Sequence, residues 1–151
     1  MDKIIISDTS CLIALGNIER LHILKDLFGE VLITPEVNEE FGNHLPNWIT
    51  VLRVKDKIKQ SEIEEKLDKG EASSIALALE IPNSTLIIDE VKGRNIAKNL
   101  NIEIIGTVGI IVLAGKKGVV NDIISVVLKL VNNGFRLSNK IVDRIIEIYG
   151  K

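Results

Sequence analysis

A single cysteine, two histidines and very few aromatic residues (three Phe, one Trp, one Tyr) are all that this 151-residue chain has of those types. One cysteine rules out a disulfide framework and a cysteine-based zinc site. His22 and His44 stand 22 positions apart and carry no HExxH spacing. With aromatics at 3%, Ile, Leu and Val must do the packing. The same shortage argues against a base-stacking platform of the single-strand-binding kind. The net charge of −2 leaves no global basic field, so any nucleic-acid contact needs a local patch. No apolar run is long enough to span a bilayer, and the start "MDKIIIS" is too short and too acidic for a signal peptide. The expectation is a cytoplasmic protein with no membrane partner. The sequon at Asn83-Ser84-Thr85 then carries no meaning. There is no GxGxxG, and "VGIIVLAGKKG" has the wrong glycine spacing for a P-loop, with no Ser or Thr after Lys116.

What is present is an ordered alternation. Apolar residues make up 46% of the chain, enough for one domain with a core of ordinary size. Near-continuous apolar runs at 3–7, 30–34, 48–54, 84–88 and 102–106 read as strands covered on both faces. Helical patterns fill the gaps at 9–16, 19–28, 35–42, 60–68, 71–81, 92–100, 107–117, 120–132 and 138–149. Such alternation predicts a mostly parallel, Rossmann-like sheet in a three-layer α/β/α sandwich over residues 1–151. Thr34-Pro35 is a helix start, with proline at the first helical position, and Ser138 caps the closing amphipathic helix.

Open parallel sheets bind ligands at the carboxyl ends of their strands, where the strand order reverses. The polar residues that follow strands are therefore the candidates. Asp8 follows the first strand, Asp89-Glu90 the fourth and Thr107 the fifth. If the first and fourth strands are neighbours, Asp8 and Asp89 face one crevice. Two more acids come from helices, at about 100° per residue. Val37 and Phe41 define a buried face that Glu40 flanks, while Glu39 points to solvent. Ala72, Ile75, Ala76 and Leu79 define another, flanked by Glu71 with Ser74 on the same edge.

Each acid alone has an ordinary structural explanation. Asp8 reads equally well as a helix N-cap. Glu71 fits a capping box with Asp68, Glu40 a solvated helix position, and Asp89 the cap of the helix that follows. Joint placement favours chemistry, because four separate elements each offer an acid. Clustered carboxylates repel unless a cation neutralises them, and an all-oxygen donor set selects Mg²⁺ or Mn²⁺. Such an ion can activate water for in-line attack on a phosphodiester. Thr9 and Ser10 can orient the first carboxylate or a water. Lys92 and Arg94 follow Asp89 and are candidates for phosphate contact, as are Lys116-Lys117, although ordinary surface roles fit the lysines as well. Cys11, in an apolar helix start with no histidine nearby, reads as a small buried hydrophobe.

The ordered set "DTS" (8–10), "GEASSIALA" (70–78), "LIIDEVKGR" (86–94), "GTVG" (106–109) and "GFRLS" (134–138) resembles the PIN-domain family. The likeness is to its short branch related to VapC-type toxins and runs over nearly the whole chain. The resemblance implies a metal-dependent ribonuclease acting on single-stranded or structured RNA. It places the family's acids on Asp8, Glu40 and Glu71, and its fourth on Asp89 or, one register on, Glu90. Ser10 falls on its hydroxyl position. Two departures stand out: Cys11 where relatives often have proline, and Glu71 where many have Asp. The expected activity is that of a Mg²⁺- or Mn²⁺-dependent endoribonuclease, the toxin of a toxin–antitoxin pair, acting as a homodimer. The alternative is a PIN-like interaction module, pairing with an antitoxin or itself, with weak or lost catalysis. A receiver-like phosphoacceptor domain fits less well. It needs an acidic pair after the first strand and a lysine after the fifth, where Thr9 and Gly106-Thr107 stand.

Overall fold

In the computed structural model, which describes residues 3–150, five strands form one sheet and helices cover both of its faces. In chain order the elements are β1 (Ile4–Ser7), α1 (Thr9–Asn17), α2 (His22–Phe28), β2 (Val31–Ile33), α3 (Pro35–Phe41), β3 (Ile49–Val51), α4 (Lys57–Glu64), α5 (Lys69–Glu80), β4 (Ser84–Ile87), α6 (Val91–Asn99), β5 (Glu103–Ile105), α7 (Thr107–Lys116), α8 (Ile123–Asn132) and α9 (Asn139–Tyr149). The sheet order is β3-β2-β1-β4-β5 and every pairing is parallel. This is the three-layer α/β/α sandwich that the alternation predicts.

The chain builds outward from β1 to β3 on one side, then adds β4 and β5 on the other. The order therefore reverses between β1 and β4, which pair from Ile4↔Ser84 to Ser7↔Ile87. The adjacency assumed for the first and fourth strands holds. Side chains alternate across the pleat, and the core divides accordingly. Ile5 and Ile87 pack on one face with Leu12, Leu24, Ile110 and Leu130. Ile6, Leu86 and Ile88 pack on the other with Ile63, Ile75, Leu77 and Ala97. Burial on both faces explains why the strands read as continuous apolar runs.

The boundaries of α4 and α8 differ from the periodicity because aspartate side chains cap these helices or the next one. α4 starts early because Asp56 accepts from the Lys59 N–H at 2.9 Å. It stops by Glu64, since Asp68 caps the next helix through the Glu71 N–H at 2.8 Å. α8 begins at Ile123 rather than at 120, capped by Asp122 on the Ser125 N–H. α2 begins at His22 rather than at 19; Glu19 has φ +58°, outside the helical region. The cap of α3 is as expected, with Thr34 Oγ1 accepting from the Val37 N–H at 3.1 Å. The buried face of α5 needs correction, since Leu79 is 40% exposed whereas Leu77 is 1% exposed. Residues 70–78 are all buried, because α5 packs against α3, α4, α6, β1 and β4.

Burial of a large aliphatic side chain is worth about 1.5–3 kcal/mol, with a cavity term added on truncation. Ile87→Ala, at a fully buried position of β4, is expected to cost about 2–5 kcal/mol in urea unfolding. Ile58→Ala, at 76% exposure, should cost less than about 0.5 kcal/mol. Equal costs would contradict this assignment of the core.

Candidate active site

The carboxyl ends of β1 and β4 are tied together, the Asp8 N–H donating to the Ile87 carbonyl at 3.0 Å. Asp8 occupies the N-cap position of α1 with extended backbone, yet its carboxylate makes no capping bond. The capping explanation therefore accounts for its backbone and not for its side chain, which is buried at 3% exposure at the floor of a cleft of about 480 Å³. The cleft is lined by five carboxylates, those of Asp8, Glu40, Asp68, Glu71 and Glu90, with Lys66 and Lys92 on its wall.

Each acid reaches the cleft for a local reason. Glu40 sits in the last turn of α3, and its Oε1 accepts from Thr9 Oγ1 at 2.6 Å. That contact depends on Gly70. A Cβ there would stand 1.9 Å from Glu40 Oε1 and 3.2 Å from Thr9 Oγ1, so a side chain at the start of α5 would push the Glu40 carboxylate aside. Glu71 lies in the first turn of α5, its backbone N–H held by Asp68 while its carboxyl is left in the cleft. The D-x-x-E pair is thus a helix cap, and both of its carboxyls also line the cleft. Glu90 is exposed at the start of α6.

Asp89 is turned elsewhere. Its Oδ1 accepts from the Thr107 N–H at 2.7 Å and its Oδ2 from Thr107 Oγ1 at 2.5 Å. Both oxygens are therefore spent on the N-terminus of α7, where a negative charge is favoured. Of the DE pair, Glu90 lines the acid cleft and Asp89 does not. Arg94 is also turned inward. Its Nη1 donates to the Ile88 carbonyl at 2.9 Å, and it does not line the cleft, whereas Lys92 does. Ser74 bonds back to the Gly70 carbonyl at 2.7 Å and does not line the cleft. Ser10 is exposed on the cleft rim. Sequence reasoning singled out neither Lys66 nor the second role of Asp68; the only available signal was the D-x-x-E spacing itself. Cys11 is buried, and burial pushes its thiol up to about 12, so it stays protonated and inert.

The electrostatics follow from this crowding. Burial raises Asp8 from an ordinary 3.8 to about 7, with Asp68, Glu40 and Asp89 adding repulsion and the Thr9 N–H opposing it. Burial likewise raises Glu71 to about 8, followed by repulsion from Asp68 and Asp8. Two carboxyls held near neutrality lack an opposing charge. Among the described residues no three acids, histidines or cysteines already stand as a complete metal-ligand set. What fits a hard divalent cation is the donor chemistry: oxygen donors only, crowded and partly desolvated.

The chain matches the DUF3368 family model, a PIN domain, over residues 4–151. It therefore belongs to the PIN-domain family, whose fold is of the nuclease type. No protein of curated function and no solved structure matches it. Among the described residues no helix is long and apolar enough to cross a membrane.

Because the folded-state pKa of Asp8 lies above its ordinary value, the native state holds more protons than the unfolded chain between about 3.8 and 7. The stability associated with protonated Asp8 is complete below that window and is lost as pH rises through it. Melting in EDTA from about pH 5 to about pH 8 should therefore weaken wild type relative to Asp8→Asn. A difference that does not change with pH would contradict the assigned shift.

Proposed function

We propose that this PIN-domain protein is a Mg²⁺- or Mn²⁺-dependent endoribonuclease. The observation that carries the proposal is the burial of Asp8 and Glu71, both with raised pKa values, in one cleft with Glu40, Asp68 and Glu90 at the reversal of strand order. Asp8, Glu40, Glu71 and Glu90 are the proposed ligands. When bound, the ion polarises a water and offsets the charge that builds on the phosphoryl oxygens during in-line attack.

The chain's own residues do the positioning. Thr9 fixes the Glu40 carboxylate, and Asp68 fixes the start of α5 that carries Glu71. Thr107 holds Asp89, so that Asp89 acts as a positioning residue at the end of β4 rather than as a direct ligand. Lys66 and Lys92 bring positive charge to a cleft that must admit a phosphate. Ser10, at the rim, offers a hydroxyl to a water or a phosphate oxygen.

A cytoplasmic toxin of a toxin–antitoxin pair, acting as a homodimer, is the biological setting that goes with this reading. A second reading, an interaction module with weak or lost catalysis, draws on one observation. Leu128 on α8 and Ile141, Ile146 and Ile148 on α9 are between 39% and 51% exposed. That apolar surface suits pairing with an antitoxin-like protein or a second copy.

The deciding experiment follows cleavage of labelled RNA in Mn²⁺ and in EDTA. Wild type should cut only with the metal, Asp8→Asn should not cut, and Thr9→Val should lower Mn²⁺ affinity by about tenfold or more. Cleavage that survives EDTA, or equal cleavage by wild type and Asp8→Asn, would overturn the mechanism. Absence of both Mn²⁺ binding and cleavage would favour the interaction module.

A further inference from the structure

The motif "GFRLS" takes no part in the acid cleft, yet it lies beside it. A second cleft, of about 500 Å³, opens between α1, the start of α6 and the turn that follows α8. Its volume falls in the roughly 300–1,000 Å³ range of small-molecule sites. The two clefts share Ser10, Ile13 and Glu90, so they adjoin. Gly134 shapes the far wall. Its φ of +98° turns the chain out of α8, and the Phe135 N–H returns to the Leu130 carbonyl at 2.9 Å. This turn presents Phe135, half-buried against the core, and Arg136, exposed, to the second cleft.

The end of that cleft away from the Asp89 and Glu90 carboxylates has the chemistry to suit one nucleotide. The Arg136 guanidinium makes no hydrogen bond or ion pair among the described residues, so its five donors are free for a phosphate. Asn133 spends its amide N–H on the Lys129 carbonyl at 2.8 Å and keeps its carbonyl oxygen, and Asn17 faces it across the cleft. Phe135 and Ile13 give an apolar wall for one base, which differs from the extended aromatic platform that the composition rules out.

We propose that residues 133–136, with Asn17 of α1, seat one nucleotide of a single-stranded RNA whose adjacent phosphodiester lies in the acid cleft. This rests on the nuclease reading and adds to it a strand path.

The test is binding, measured in EDTA so that no metal-dependent cleavage contributes. Fluorescence anisotropy of a fluorescein-labelled single-stranded oligoribonucleotide of about ten residues is read against salt for wild type, Arg136→Ala and Arg136→Lys. Arg136→Ala should weaken binding roughly tenfold, with the log–log salt slope falling by about 0.7. Arg136→Lys should restore the slope but only part of the affinity. Unchanged RNA affinity and slope in Arg136→Ala would overturn the proposal. So would a variant that loses self-association in sedimentation while binding RNA normally, since the cleft would then be a protein interface. Failure of metal-dependent cleavage with Arg136-dependent RNA binding intact would overturn the nuclease reading and leave this seat standing.

Discussion

The parallel pairing of β1 with β4 is the constraint on which the site depends. It places the ends of two strands from distant parts of the chain side by side, tied by the Asp8 N–H to the Ile87 carbonyl. Because the sheet order reverses there, the helices that leave these strands diverge and leave a crevice between them. α1 carries Thr9 and Ser10 away on one side, and α6 carries Glu90 and Lys92 away on the other. α5 and α3 then close the crevice with Glu71 and Glu40. Sliding β1 by one residue against β4 would invert every inward-facing side chain of the strand, so the core enforces the register that the acids need.

That arrangement costs stability. Carboxyls that burial and mutual repulsion hold near neutrality make no favourable contribution as anions. The fold bears the cost through parts of the molecule that are well satisfied: two aliphatic layers on the sheet, the Thr34–Ser73 hydroxyl contact at 2.7 Å, and carboxylate caps on four helices that do not depend on a cation. Three of those aspartates, Asp56, Asp68 and Asp122, cap their own helices, and the fourth, Asp89 at the end of β4, caps α7. Gly70 shows how closely the site is fitted, since one methyl group there would occupy the place of the Glu40 carboxylate.

The layers and the element order were legible in the sequence because burial on both faces writes a continuous apolar run for each strand and a 3.6-residue period for each helix. Helix ends were less legible, since Asp56, Asp68 and Asp122 decide them through single hydrogen bonds that periodicity does not register. The same limit applies at the site. Asp8, Glu40 and Glu71 stood out by their positions after a strand or beside a buried face. The choice between Asp89 and Glu90 turned on one residue of backbone direction beyond β4; Thr107, eighteen positions on, donates to both Asp89 oxygens, and Glu90 is the one of the pair that lines the acid cleft. Asp68 was visible as a cap, and its place in the cleft is a tertiary fact. Arg94 resembled a phosphate contact in sequence, but the carbonyl left open at Ile88 claims its guanidinium. Of the second cleft only the GFRLS stretch stood out in the sequence, because Asn17 and Arg136 come to one cleft only through the packing of α1 against α8.

The central claim is that the acid cleft is a cation site whose carboxyls are held partly protonated until the cation arrives. Mn²⁺ titration calorimetry near pH 7, repeated in buffers of different ionisation enthalpy, tests it most directly. Binding should be saturable, and the measured heat should change with the buffer, because Asp8 and Glu71, with pKa values of about 7 and about 8, must give up protons as the ion binds. Absence of saturable heat, or a binding enthalpy independent of buffer, would contradict the account.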